Sequence, residues 1–107
     1  MNRIDEHVEA FNRAVGSGEW DAFAERLAVD ATMTFDGVLV GPFHGRAAIA
    51  EGYRGNPPTA TMHLIDSADD GPAATTARFA WASDATGTMR ITWSRTGEVQ
   101  TLTVSFD

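Results

Sequence analysis

The chain contains no cysteine and no lysine. Without thiols there are no disulfides, no thiolate nucleophile and no cysteine-type zinc site. Without an amine side chain, Schiff-base catalysis on lysine is excluded. All eight basic residues are arginine, a bias that a GC-rich genome accounts for, as does the high alanine content. Positive charge is scarce and nowhere clustered, and the formal net charge is -7. Nucleic-acid binding needs a basic footprint on phosphates, and anionic membranes need a basic surface, so neither partner is expected. No apolar run approaches membrane-spanning length. The opening MNRIDEHVEAF is polar and acidic, so neither a signal peptide nor an anchor is expected, and the protein is read as cytoplasmic. The three histidines are scattered and lack a motif such as H-E-x-x-H, so neither a metal nor a cofactor is expected.

What is present suffices for one domain over residues 1–107, with 43% hydrophobic residues to build a single core. Ile4, Val8, Phe11 and Val15 recur at helical spacing, with Asp5, Glu6, Glu9 and Arg13 between them, which predicts a first helix. Gly16-Ser17-Gly18 ends it, and Ser17 can cap the start of the next. Trp20, Phe23 and Leu27 share one face of a second helix. Thr32–Phe35 alternates as a strand, Asp36-Gly37 is a two-residue hairpin signal, and Val38–Val40 is the returning strand. Gly41-Pro42 breaks that strand. Arg46–Arg54 forms a third helix with Ile49 and Tyr53 on one face, closed by Asn56-Pro57-Pro58. Four strands follow, at Thr59–Asp66, Ala73–Ala82, Thr88–Arg95 and Val99–Phe106, joined by short turns that make them antiparallel neighbours.

The last three strands alternate cleanly. Ala77, Phe79, Trp81, Met89, Ile91, Trp93, Leu102, Val104 and Phe106 point one way and form an apolar face to lie under the helices. Thr76, Arg78, Arg90, Thr92, Thr101, Thr103 and Ser105 point the other way. That polar, threonine-rich face is either solvated or a wet sheet-on-sheet dimer surface.

The element order, with GEWDAFAERLAVDATMTF, the later GPFHGRAAIAEGY and the four closing strands, resembles the SnoaL-like branch of the nuclear transport factor 2 superfamily over nearly the whole chain. The resemblance implies an α+β fold: three N-terminal helices on a strongly curved, mostly antiparallel sheet, forming a cone with an internal pocket. It implies a homodimer, through the polar outer sheet face, and, since the chain is short for the family, no C-terminal lid. It also implies a small-molecule pocket with proton-transfer chemistry of isomerase, cyclase or dehydratase type on a small hydrophobic carbonyl compound. The alternative is a non-catalytic ligand-binding or dimerisation module of the same fold.

In the related ketosteroid isomerases a carboxylate moves the proton while a tyrosine and a protonated aspartic acid hold the enolate oxygen. Carried over without gaps, the tyrosine position falls on Phe11, the base on Phe35 and the second acid near Ile91. Phenylalanine can neither accept a proton nor hold an oxyanion, so that mechanism is lost. Two acid-base candidates stand beside it. His63 lies mid-strand among apolar neighbours and resembles a histidine of dehydratase-like members; the other reading is a core or dimer-face histidine. Asp36 is one residue from the base position; it is either a turn residue or, with a bulge, a carboxylate turned inward. His44 is a loop residue, and His7, on a helix flank, is expected to be exposed. Phe11, Trp20, Met33, Phe35, Tyr53, Trp81, Trp93 and Phe106 are the candidate pocket lining, with the Tyr53 hydroxyl a candidate donor.

Overall fold

The computed structural model describes residues 2–107. Helices α1 (Arg3–Ser17) and α2 (Trp20–Ala24) precede strand β1 (Leu27–Asp36), a short β2 (Phe43–His44) and helix α3 (Arg46–Gly55). Strands β3 (Met62–Asp69), β4 (Ala74–Trp81), β5 (Thr86–Trp93) and β6 (Val99–Phe106) complete the chain. The strands form one curved sheet in the order β2-β1-β6-β5-β4-β3, with the helices on its apolar face. All pairings are antiparallel except β1 with β6. The α+β expectation therefore holds. Among the described residues no helix is long and apolar enough to cross a membrane.

Helix α1 starts under Asn2, whose side chain accepts from the Asp5 N–H at 3.1 Å. It ends at Gly18, whose left-handed φ of 75° lets its N–H reach the Ala14 carbonyl at 2.7 Å. Asn12 ties this helix to the sheet edge. Its amide donates to the Met62 carbonyl at 2.8 Å and accepts from the Met62 N–H at 2.9 Å. The pair of bonds supplies the edge strand β3 with the backbone partners that a further strand would provide.

The strand faces divide as the alternation requires. Ala77 lies opposite Met89, Met89 opposite Val104, and Ile91 opposite Leu102, and all five are buried. On the outer face Arg90 pairs with Asp36 at 3.2 Å and Arg78 with Asp66 at 3.3 Å, all four side chains about half exposed. Such surface pairs add little stability and serve mainly to keep that face polar.

Strands β3 and β5 are displaced by two to three residues from the expected Thr59–Asp66 and Thr88–Arg95, and two further expectations differ. Leu27 opens β1 instead of closing the second helix: the Val99 N–H bonds the Arg26 carbonyl and Leu27 pairs with Val99, so sheet pairing outweighs helical propensity. The expected tight hairpin at Asp36-Gly37 is absent. Residues 37–42 form a wide connection with Val38, Leu39 and Val40 exposed, and the returning strand is Phe43–His44, opposite Met33 and Thr32. Burial decides the register: Phe43 packs edge-on to Phe35 at 6.5 Å and fits beneath Gly52, where it leaves no room for a Cβ.

Gly87 is required by its neighbours. A Cβ there would stand 2.6 Å from both the Phe79 ring and the Ser105 carbonyl oxygen. Gly87→Ala is expected to cost about 2 kcal/mol, read as a lower urea midpoint at unchanged slope. Thr75, buried beside Trp93, accepts the indole N–H at 3.0 Å. Thr75→Val strands that N–H and is expected to cost about 1–3 kcal/mol in the same measurement.

Candidate functional site

The three helices meet at one aromatic hub. Phe11 of α1 touches Trp20 and Phe23 of α2, Tyr53 of α3 and Trp81 of β4, with ring centroids 5.7, 6.1, 6.1 and 6.0 Å away. Trp20 and Tyr53 stack at 4.4 Å. These large, stiff rings hold the helices off the centre of the sheet. The space left between them is a cavity of about 660 Å³, lined by nineteen residues, a volume suited to a small organic molecule.

Burial orders the lining by depth. Phe11, Met33, Phe79, Met89 and Leu102 are buried and make the floor. Val40, Phe106 and the exposed Asn56, Pro57 and Thr59 mark the mouth, where Phe35 and Phe106 stack at 6.1 Å. No Asp, Glu or Arg lines the cavity among the described residues. Two polar side chains reach its inner part. Tyr53 donates its O–H to the Met33 sulfur at 3.4 Å, a weak acceptor. Burial raises its pKa, so the phenol stays protonated.

His7 is the second. It is 3% exposed, lines the cavity, and packs on the Phe23 ring at 5.5 Å. Its Nδ1 is buried without a hydrogen-bond partner. Burial first, then the nearby Arg26 charge, lowers its pKa from 6.5 to about 4, so the ring is neutral near pH 7. The expectation that His7 is exposed is therefore corrected. The signal was in the sequence: His7 lies three residues after Ile4 and four before Phe11, on the apolar stripe of α1.

The two acid-base candidates lie elsewhere. His63 sits opposite Ala80 in β3, between Met62 and Leu64, whose side chains turn toward the core. Strand alternation therefore sends His63 to the outer side, where it is exposed. Asp36 stands opposite Ser105 on the outer face, accepting from the Ser105 hydroxyl and from Arg90, each at 3.2 Å. Neither reaches the cavity. Phe11, Met33, Phe35, Tyr53, Trp81 and Phe106 do line it. Trp20 and Trp93 do not: Trp20 is sealed behind Tyr53, and Trp93 is held by Thr75 and by Arg3, 4.8 Å from its ring. Sequence reasoning missed the other thirteen lining residues, among them His7, Phe43, Phe79, Met89, Leu102 and the 56–59 rim. Among the described residues no three histidine or carboxylate groups gather as a metal site.

A SnoaL-like domain model matches residues 8–105. No curated protein matches. Solved structures similar to this chain include SalBIII, an epoxide hydrolase/cyclase-like enzyme in pyran ring formation in the polyether salinomycin. It is 21% identical with a TM-score of 0.71, over 96% of this chain and 89% of that one. An NTF2-like protein of unknown function from Burkholderia xenovorans is 16% identical with a TM-score of 0.74, over 98% and 83%. A computationally designed 17-OHP binder is 8% identical with a TM-score of 0.76, over 100% and 92%. At these identities the likeness establishes the fold.

Because Nδ1 is unpartnered, His7→Leu is expected to raise the stability of the empty protein at pH 7 by about 1–2 kcal/mol. His7 also sets a pH dependence. Its folded pKa of about 4 lies below the ordinary 6.5, so between these values the unfolded chain holds a proton that the folded one refuses. Its contribution is complete above the unfolded value and is lost as pH falls to the folded value, by about 3 kcal/mol in all. Urea melts of wild type and His7→Leu at successive pH values should show that extra loss in the wild type only.

Proposed function

The chain belongs to the SnoaL-like family, and from that premise we propose that it holds a small, neutral, hydrophobic molecule in the cavity between helices and sheet. The observation that carries this reading is the lining: an apolar floor with no charged side chain among the described residues, the neutral polar side chains of Tyr53 and His7 further in, and Asn56 and Thr59 at the mouth. A charged ligand would lose its hydration there without a counter-ion. A neutral one gains from burial of its surface and needs one or two polar contacts for orientation. A protein of like fold was designed as a 17-OHP binder, which supports small-molecule binding by this fold.

Binding is favoured over proton-transfer catalysis because the two acid-base candidates are turned away from the cavity. With Phe11 and Phe35 at the positions that carry isomerase chemistry, the lining has no carboxylate base among the described residues. Naphthalene, neutral and rigid, is a suitable probe, with Trp81 in the wall as a fluorescent reporter. A Kd on the order of 10–100 µM is expected from its size. Leu102→Trp fills the floor and should abolish binding while the protein remains folded. Unchanged binding in that variant would overturn the cavity as the site. Stoichiometric protein that accelerates deuterium exchange at the α-carbon of 2-tetralone would return the reading to catalysis.

We also propose a homodimer through the outer sheet face, on the support of its small side chains and its Arg–Asp pairs. Light scattering at micromolar concentration checks it, and a monomer there would overturn it.

A further inference from the structure

We propose that the cavity takes amphipathic molecules hydrocarbon end first, each with a single uncharged polar group at its other end, and that Asn56 and Thr59 hold that group at the mouth. This deepens the reading of the cavity as a ligand site and rests on it.

Where a ligand finds hydrogen-bond partners decides how it enters. The floor provides almost none. Phe11, Met33, Phe79, Met89 and Leu102 present only hydrocarbon, aromatic rings and thioethers. The His7 Nδ1 is buried and gives a ligand no surface to reach. Tyr53 directs its O–H to the Met33 sulfur at 3.4 Å. A polar group carried to the floor therefore exchanges its water for thioethers and a hydroxyl already engaged.

The mouth is the reverse. Asn56 and Thr59 line it and are exposed, so an amide and a hydroxyl stand where a ligand passes. Together they donate and accept, and so serve a hydroxyl, a carbonyl or an amide alike. Their places on the rim are set before binding. Asn56 closes α3, its N–H bonded to the Gly52 carbonyl at 3.2 Å. Pro57 and Pro58 then lock φ in the two residues that lead to Thr59. A rim fixed in this way loses little freedom when a ligand arrives. Water also reaches this end, so a polar group here keeps part of its hydration. Polarity thus runs one way along the cavity. That gradient selects which end of a ligand enters, and it disfavours a molecule with polar groups at both ends.

The test uses naphthalene, 2-naphthol and 2,6-dihydroxynaphthalene, one skeleton with no, one and two polar ends, and reads affinity by calorimetry. 2,6-Dihydroxynaphthalene is expected to bind about tenfold more weakly than 2-naphthol, because its second hydroxyl is pressed onto the floor. The preference for 2-naphthol over naphthalene should fall about fivefold in the double variant Asn56→Ala/Thr59→Ala, the value of one hydrogen bond. In NOE spectra, the 2-naphthol protons farthest from the hydroxyl should reach the ε-methyl groups of Met33 and Met89, and those beside it the Thr59 methyl. Equal affinity for the one- and two-hydroxyl compounds, or NOEs that place the hydroxyl end against Met89, would overturn the orientation and leave the cavity reading intact. An unchanged preference in the double variant would overturn the role of Asn56 and Thr59. Failure of naphthalene to bind the wild type would overturn the cavity reading, and the orientation with it.

Discussion

The contact of Phe11 with four other aromatic rings governs this structure. It joins all three helices to β4 through one residue. Aromatic rings are broad and rigid, and edge-to-face packing sets their spacing within narrow limits. Helices held at that spacing cannot settle onto the sheet. The curved sheet bends around the gap instead, and the gap persists as a cavity because its walls are already close-packed on their far sides. Gly87 and Gly52 show the same tightness from behind: each is a place where Phe79 or Phe43 leaves no volume for a methyl group.

Within those walls, polarity is rationed. The sheet sends its charges outward, where Asp36 meets Arg90 and Asp66 meets Arg78. Among the described residues the cavity lining has no Asp, Glu or Arg. Tyr53 stays protonated and His7 stays unprotonated, both because burial disfavours their charged forms. Phe11 and Phe35 are two more apolar walls of the cavity.

Much of this was legible from residue patterns. The period-two alternation in β4, β5 and β6 separated the core face from the polar face, and Phe11, Met33, Phe35, Tyr53, Trp81 and Phe106 line the cavity. The errors have physical causes. Asp-Gly is a local hairpin signal, but the register of β2 was decided by burying Phe43 between Phe35 and Gly52. Leu27 carried helical spacing, but Val99 drew it into the sheet. His63 lay among apolar neighbours that fit either face, and only its pairing with Ala80 showed which one.

The sequence by itself determined the fold class, the single core, the absence of thiol and lysine chemistry, and the division of each strand into an inner and an outer side. These follow from composition and from helix and strand periods, which are local properties. Only the tertiary structure decided which inward residues fill the core and which line a void. Trp20 and Tyr53 share the same aromatic character, yet one is sealed and the other faces the cavity. His7 reads locally as a helix-flank residue, and becomes a buried, unpartnered group because α1 is held over the cavity by Phe11 on its own stripe. That difference depends on distances between elements far apart in the chain, which no local period encodes.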